Sequence, residues 1–112
     1  MPKLKEKHCI PCEGGSVKPM VRADAERLMN EISGWELAKN AKSISKEFVF
    51  KNFDKAMDFV NLVADLAEQE GHHPDITISY NKVWFVLSTH AIRGLSENDF
   101  ILASKINGIR LP

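Results

Sequence analysis

The sequence lacks an excess of charge of either sign. Its 15 lysines and arginines balance its 15 aspartates and glutamates, so the formal net charge is zero. It also contains no basic run or stripe of the kind that a nucleic-acid backbone requires. The composition therefore argues against direct nucleic-acid binding.

Long apolar runs are also missing. No stretch of about 18 apolar residues is available to span a membrane, and no charged-then-apolar leader stands at the amino end. We therefore expect no membrane segment and a cytoplasmic location. The 112 residues, 44% of them hydrophobic, are enough for one globular domain with its own core.

Cysteine is scarce, and both cysteines lie in a first segment that is interrupted by proline and glycine. We predict an irregular arm over residues 1–20 and a single domain over residues 21–112. The Cys9-x-x-Cys12 pair, with His8 beside it, could bind zinc or be redox-active. A structural zinc site needs about four ligands, however, and no second cysteine pair follows. Two reduced cysteines in a loop are the simpler interpretation.

The hydrophobic periodicity predicts an α+β fold. Helical spacing marks residues 23–33, residues 53–70 and a segment that begins at Ser96 and ends at Asn107-Gly108. Between them, alternating segments predict two hairpins, with turns at residues 39–42 and at Asn81-Lys82. The expected architecture is a four-stranded, mainly antiparallel sheet with three helices on one face, in the order α-β-β-α-β-β-α.

The predicted helix over residues 53–70 carries two apolar stripes. The first should pack on the sheet. The second consists of Phe59, Leu62 and Leu66 and lies on an adjoining face that one sheet could not fully cover. Exposed apolar surface of this kind usually meets a partner, so we expect a homo-oligomer, either a dimer or a tetramer.

Histidines cluster in the second half of the chain. Three of the four lie between residues 68 and 99, namely His72, His73 and His90. Gly71 can close the preceding helix and Pro74 favours an extended conformation before it, so the adjacent pair should lie on a connection. His90 should close the last strand, where its imidazole can reach a cleft.

The histidine cluster indicates acid–base chemistry. Imidazole can give and take a proton near neutral pH, and Glu68 supplies a nearby carboxylate, which suits an elimination, a hydration or an isomerisation. The same four side chains could instead hold a metal, although adjacent histidines rarely direct both rings at one ion. Nucleophilic hydrolysis has less support, because no Gly-x-Ser-x-Gly turn occurs.

Three candidate residues also have a purely structural explanation. Trp35 can be a core residue, since a buried indole contributes a large apolar area. Glu68 can be a solvated helix residue. Asp99 stands at the N3 position of a capping box that begins at Ser96, with Leu95 and Phe100 placed as a hydrophobic staple. Spacing alone does not choose between these explanations and a role in a site.

The spacing of these residues resembles the signature of the pterin-4a-carbinolamine dehydratases, a family also called dimerisation cofactors of a homeodomain transcription factor. The matching residues are Glu68, His72-His73-Pro74, Tyr80, His90 and Asp99, and they are separated in turn by three, five, nine and eight residues. The similarity extends to Gly34-Trp35, to Leu87-Ser88-Thr89-His90 and to Gly94-Leu95-Ser96. It covers about residues 23–106.

The resemblance implies an enzyme that removes water from a 4a-hydroxytetrahydropterin to give the quinonoid dihydropterin. The pterin would be recycled for an aromatic amino-acid hydroxylase, which is a possible partner. No metal or other cofactor is implied. The family's sandwich fold agrees with the predicted order of helices and strands.

The resemblance also implies residue roles, position by position. The catalytic set is His72, His73, His90 and Glu68. In it, His72 and His90 match general acid–base histidines, His73 helps to hold the pterin, and Glu68 is the supporting acid. The substrate-binding set is Trp35, Ser88, Thr89 and Asp99. Gly71 stands where some members carry an aspartate, so assistance from that carboxylate is not expected here.

Other functions stay open at this point. A binding or dimerisation module would use the stripe of Phe59, Leu62 and Leu66 to join a partner protein. The fold could also serve pterin metabolism of the molybdenum cofactor instead of hydroxylase recycling. A metal-dependent hydrolase would contain bound zinc.

Overall fold

The computed structural model describes residues 4–9 and 18–110. The helices and strands are α1 Arg22–Met29, β1 Glu36–Leu37, β2 Ile44–Val49, α2 Phe53–Glu70, β3 Asp75–Ser79, β4 Lys82–Leu87 and α3 Glu97–Asn107. Short 3-10 helices span Leu4–Glu6 and His90–Ile92. The predicted order α-β-β-α-β-β-α is confirmed. Within the described residues, no helix is both long and apolar enough to cross a membrane.

The four strands form one antiparallel sheet in the order β1-β2-β4-β3. Side chains alternate between its two faces, as strand geometry requires. On β4, Val83, Phe85 and Leu87 are fully buried, whereas Trp84 and Val86 on the opposite face are partly exposed. The buried face shares one core with residues from all three helices, which confirms the predicted sheet with helices on one face.

Aromatic rings join α2 to the sheet. The Phe59 ring lies 4.8 Å from that of Phe48 on β2 and 5.9 Å from that of Phe85 on β4, measured between centroids. Phe59 is consequently only 4% exposed, so its predicted place in the uncovered stripe is wrong. Leu66 is partly buried against the same core, and Leu62 stays 38% exposed. The uncovered surface is therefore narrower than the spacing suggested.

The first helix is shorter than its periodicity predicts. It ends at Met29, after which the N–H groups of Glu31 and Ile32 donate to carbonyls three residues back. Hydrogen bonds to a carbonyl three residues back form 3-10 turns, which are tighter than the α-helix and end it here. Gly34 then takes a positive φ of 84°, which redirects the chain into β1.

The turn between β3 and β4 falls one residue earlier than predicted. Ser79 pairs with Lys82, so Tyr80 and Asn81 form the turn, and Tyr80 takes a positive φ of 52°. Asn81 exchanges main-chain and side-chain hydrogen bonds with the main chain of Phe50. These hydrogen bonds tie the turn to the end of β2.

Both ends of α2 are capped by local signals, and its bounds agree with the predicted residues 53–70. The Asn52 side chain accepts a hydrogen bond from the Lys55 N–H at 3.0 Å. At the other end, Gly71 takes a left-handed conformation with a φ of 67°. These caps satisfy main-chain groups that a helix leaves without partners at its ends.

Replacing Asn52 by alanine should lower the free energy of unfolding by about 1 kcal/mol, because the Lys55 N–H loses its acceptor. Urea denaturation measures the change. Asn52→Ser is the matched control, since a serine hydroxyl can accept the same bond and should preserve most of the stability. Equal stabilities of Asn52→Ala and the wild type would contradict the assigned cap.

Candidate active site

A buried histidine–aspartate pair joins the end of α2 to the start of α3. The Nε2 atom of His72 lies 2.6 Å from Oδ1 of Asp99, and their side chains are 11% and 0% exposed. Gly71 makes this possible because it turns the chain out of α2, while the His72 N–H still donates to the Ala67 carbonyl. The predicted connection at the histidine pair is thus a short, well-anchored segment.

The second oxygen of Asp99 has different partners. Its Oδ2 atom accepts the Ser96 N–H at 3.0 Å and the Thr89 hydroxyl at 2.8 Å. The Thr89 and Ser96 hydroxyl oxygens are themselves 2.7 Å apart. Because Thr89 donates its proton to Asp99, Ser96 donates to Thr89. The predicted capping box of Ser96 and Asp99 is confirmed.

His73 and Glu68 also come together, but at the surface. His73 Nε2 lies 3.5 Å from Glu68 Oε1, and both side chains are mostly exposed. An exposed pair of this kind contributes little to stability, typically about 0–1 kcal/mol. Both side chains are therefore accessible from solvent.

The segment after β4 brings His90 next to the Asp99 network. The strand ends at Leu87, earlier than predicted, and His90 begins the 3-10 helix with its side chain exposed. Ser88 is partly buried, and Thr89 is buried. The Thr89 N–H already donates to the Gly94 carbonyl at 2.8 Å. A hydrogen bond from the Thr89 N–H to a ligand would therefore have to replace the bond to the Gly94 carbonyl.

Trp35 lies apart from this network within one chain. Its side chain is buried, and its indole N–H donates to Asn107 Oδ1 at 3.0 Å. Asn107 ends α3 whereas Asp99 lies in its first turn, a separation of about 12 Å along the helix axis. Lys46 shares the Asn107 oxygen at 2.8 Å, and burial lowers the pKa of this lysine.

The arm places Cys9 against α3. Its thiol lies 3.6 Å from the Asn98 carbonyl oxygen, and burial together with the negative charge of Glu70 raises its pKa to about 12. A thiol held in the protonated form is a poor nucleophile and a poor metal ligand. Cys12 lies outside the described residues, so the interpretation of Cys9 and Cys12 as two reduced cysteines in a loop stays a prediction. Over residues 4–9 and 18–110, no group of three or more histidine, cysteine, aspartate or glutamate side chains could hold a metal.

Glu70 is not among the site residues predicted from the sequence. This residue ends α2 and lies two positions before His72, yet its carboxylate is buried and binds both the arm and α3. Its partners Cys9 and Lys105 lie 61 and 35 residues away in sequence. The one local signal was an acidic residue beside a histidine pair, which does not reveal such distant partners.

The fold agrees with the similarity of this chain to known proteins. The sequence model of the family described as pterin 4 alpha carbinolamine dehydratase matches residues 18–109. The chain belongs to this family.

Relatives cover almost the whole chain. A protein of Halorhodospira halophila that carries the pterin-4-alpha-carbinolamine dehydratase name is 45% identical over 106 residues, which are 95% of this chain and 96% of that protein. Pterin-4-alpha-carbinolamine dehydratase 2, mitochondrial, from Arabidopsis thaliana is 41% identical over 96% of this chain and 59% of its own length. A crystal structure from Brucella melitensis, described as a transcriptional coactivator/pterin dehydratase, has a TM-score of 0.77 and 30% identity, and the match covers 81% of this chain and 97% of that one.

Cys9 should react slowly with alkylating reagents in the folded protein. Raising the thiol pKa from 9.0 to about 12 lowers the thiolate fraction at pH 8 roughly a thousandfold. In a Cys12→Ser variant, where Cys9 is the remaining thiol, iodoacetamide should react at least about a hundredfold more slowly than in the same protein in urea. Equal rates before and after unfolding would contradict the buried position.

Proposed function

We propose that this protein dehydrates a 4a-hydroxytetrahydropterin to the quinonoid dihydropterin by histidine acid–base catalysis. The observation that carries the proposal is the 2.6 Å contact between His72 and the buried Asp99, in a chain that belongs to the pterin dehydratase family. A carboxylate behind a histidine fixes the orientation of the ring and identifies the nitrogen that faces the reaction.

The contacts of Asp99 assign the tautomer of His72. Asp99 accepts hydrogen bonds from Thr89 and Ser96, so a carboxylate that accepts also from His72 requires the proton on Nε2. The Nδ1 atom is then the nitrogen that exchanges protons with the substrate. In its cationic form, His72 would protonate the 4a-hydroxyl from Nδ1.

The reaction then balances without a cofactor. The lone pair of the ring nitrogen expels the protonated hydroxyl as water, and a carbon–nitrogen double bond forms as the carbon–oxygen bond breaks. Neutral His90 takes the proton that the ring nitrogen loses. His72 ends neutral and His90 cationic, and exchange with solvent restores both. If the two histidines act from opposite sides, the site can accept either 4a stereoisomer.

The exposure of the His73 and Glu68 side chains suggests their roles. His73 and Glu68 form a mostly exposed pair, which suits holding the pterin at the rim of the site. The product would be recycled for an aromatic amino-acid hydroxylase. The presence of such a hydroxylase in the same organism would distinguish this pathway from molybdenum-cofactor metabolism. A cytoplasmic location stays part of the proposal, although the Arabidopsis relative is named as mitochondrial.

The decisive assay generates the 4a-hydroxytetrahydropterin in place and follows its dehydration by ultraviolet absorbance, with excess chelator present. We expect acceleration by the wild type, and a loss of roughly 10²-fold or more in His72→Ala, because a positioned general acid contributes about that factor. His90→Ala should also lose activity, since the ring proton would have to leave through water.

Asn61→Ala is the matched control, because Asn61 is exposed on α2 and has no proposed role. Circular dichroism checks that each variant is folded. Wild-type turnover by both histidine variants would refute acid–base catalysis by these residues. A folded wild type that gives no acceleration would refute the dehydratase activity itself.

We also propose that the chain forms a homo-oligomer through α2. Leu62 is 38% exposed and lies with Leu66 and Ile109 in a groove of about 490 Å³ between α2 and the end of α3. Charged residues such as Asp65 and Arg110 also line this groove, and apolar surface rimmed by polar residues is typical of an interaction site. The Brucella relative is described as a transcriptional coactivator/pterin dehydratase, so a second role of this groove would be to bind another protein. Capture of a foreign protein partner would support that role.

Leu62→Glu should shift the mass measured by light scattering toward the monomer, because a charge would be buried at the interface. Asn61→Glu is the matched control, since it adds the same charge at an exposed neighbouring position of α2. An unchanged mass in Leu62→Glu, or a monomeric wild type, would contradict an interface at this groove.

A further inference from the structure

A group of charged and polar contacts holds the amino-terminal arm beside the proposed active site. The Glu70 carboxylate accepts the Cys9 N–H at 2.8 Å and the Lys105 ammonium at 2.7 Å, and it lies 3.1 Å from His8 Nδ1. We call these four residues the Glu70 clamp. The arm and α3 thus bind the same side chain at the last residue of α2.

The Glu70 clamp is shielded from solvent where its charges meet. The side chain of Glu70 is 5% exposed and that of Lys105 is 13% exposed. Burial alone would raise the pKa of the Glu70 carboxyl, but the hydrogen bonds from Lys105, the Cys9 N–H and His8 outweigh it and lower this pKa to about 2. Glu70 therefore keeps its negative charge throughout the neutral pH range.

The arm contacts both elements that meet at the His72–Asp99 pair. On the α2 side, it binds Glu70, which lies two residues before His72. On the α3 side, the Cys9 thiol lies against the carbonyl of Asn98, the residue before Asp99. Leu4 anchors the beginning of the arm in the hydrophobic core. The part of the arm that makes these contacts, residues 4–9, lies outside residues 18–109, which the family's sequence model matches.

We propose that Glu70 is a positioning residue for His72. By binding the arm and Lys105, it fixes the last turn of α2 against α3, so that His72 keeps its hydrogen bond to Asp99. The link matters because only Gly71 separates Glu70 from His72, so a displacement of the last turn of α2 would move His72 with it. This inference rests on the proposed function, in which the orientation of His72 sets the rate.

The test removes the clamp without touching the substrate site. In Glu70→Gln and Lys105→Met, we expect kcat to fall about tenfold, because a small displacement of a catalytic group is costly, while KM changes less than about twofold. Lys105→Arg keeps a cationic donor to Glu70 and should restore most of kcat. Lys7→Met is the matched control, since Lys7 lies on the same arm in an exposed ion pair with Glu97.

A second readout does not depend on activity. The proton on His72 Nε2, buried against Asp99, should give a downfield imidazole resonance in the nuclear magnetic resonance spectrum of ¹⁵N-histidine-labelled protein, assigned by its absence in His72→Ala. We expect this resonance to broaden or disappear in Glu70→Gln and Lys105→Met. It should persist in Lys105→Arg and Lys7→Met.

The outcomes separate the two proposals. Retention of both the resonance and kcat in Glu70→Gln and Lys105→Met, even with a lower melting temperature, would overturn the inference and leave the clamp a stabilising contact only. If the wild type does not dehydrate the pterin, the proposed function fails, and the resonance alone decides whether the clamp orients His72. Should Glu70→Gln not fold, the comparison of Lys105→Met with Lys105→Arg decides it.

Discussion

One buried carboxylate organises the part of the molecule that the proposed chemistry uses. Enclosing Asp99 away from water is costly in free energy unless donors surround its charge. Three segments supply those donors, namely His72 after α2, Thr89 after β4 and Ser96 before α3. Because the carboxylate needs all three, it holds these segments at fixed positions relative to one another.

The two oxygens of Asp99 perform different tasks. Oδ2 belongs to the cap of α3, at the helix end where a negative charge is favourable. Oδ1 faces His72. The capping role and a role in a site, which the sequence left as alternatives, therefore coexist in one side chain. The cap holds the carboxylate still, and a carboxylate that does not move is what an oriented imidazole requires.

Local patterns predicted the elements well, and the errors lie where distant contacts intervene. The Gly71 end of α2, the capping box of α3 and the alternation along β4 depend on neighbouring residues, and these predictions agree with the structure. The predicted turn at Asn81-Lys82 lies one residue too late because Lys82 pairs with Val49 of β2, far earlier in the chain, and so belongs to β4. Phe59 was assigned to an exposed stripe because its spacing does not reveal the sheet phenylalanines that cover it.

The sequence by itself determined the order of helices and strands, the position of His72 and His73 on a connection, and the spacing that marks the family. It could do so because periodicity, caps and turns are encoded within a few residues of chain. Only the tertiary structure decided that His72 binds Asp99, that Trp35 binds Asn107, and that Glu70 binds the arm. These contacts join residues at least 27 apart, and they depend on how the helices pack, which no local pattern specifies.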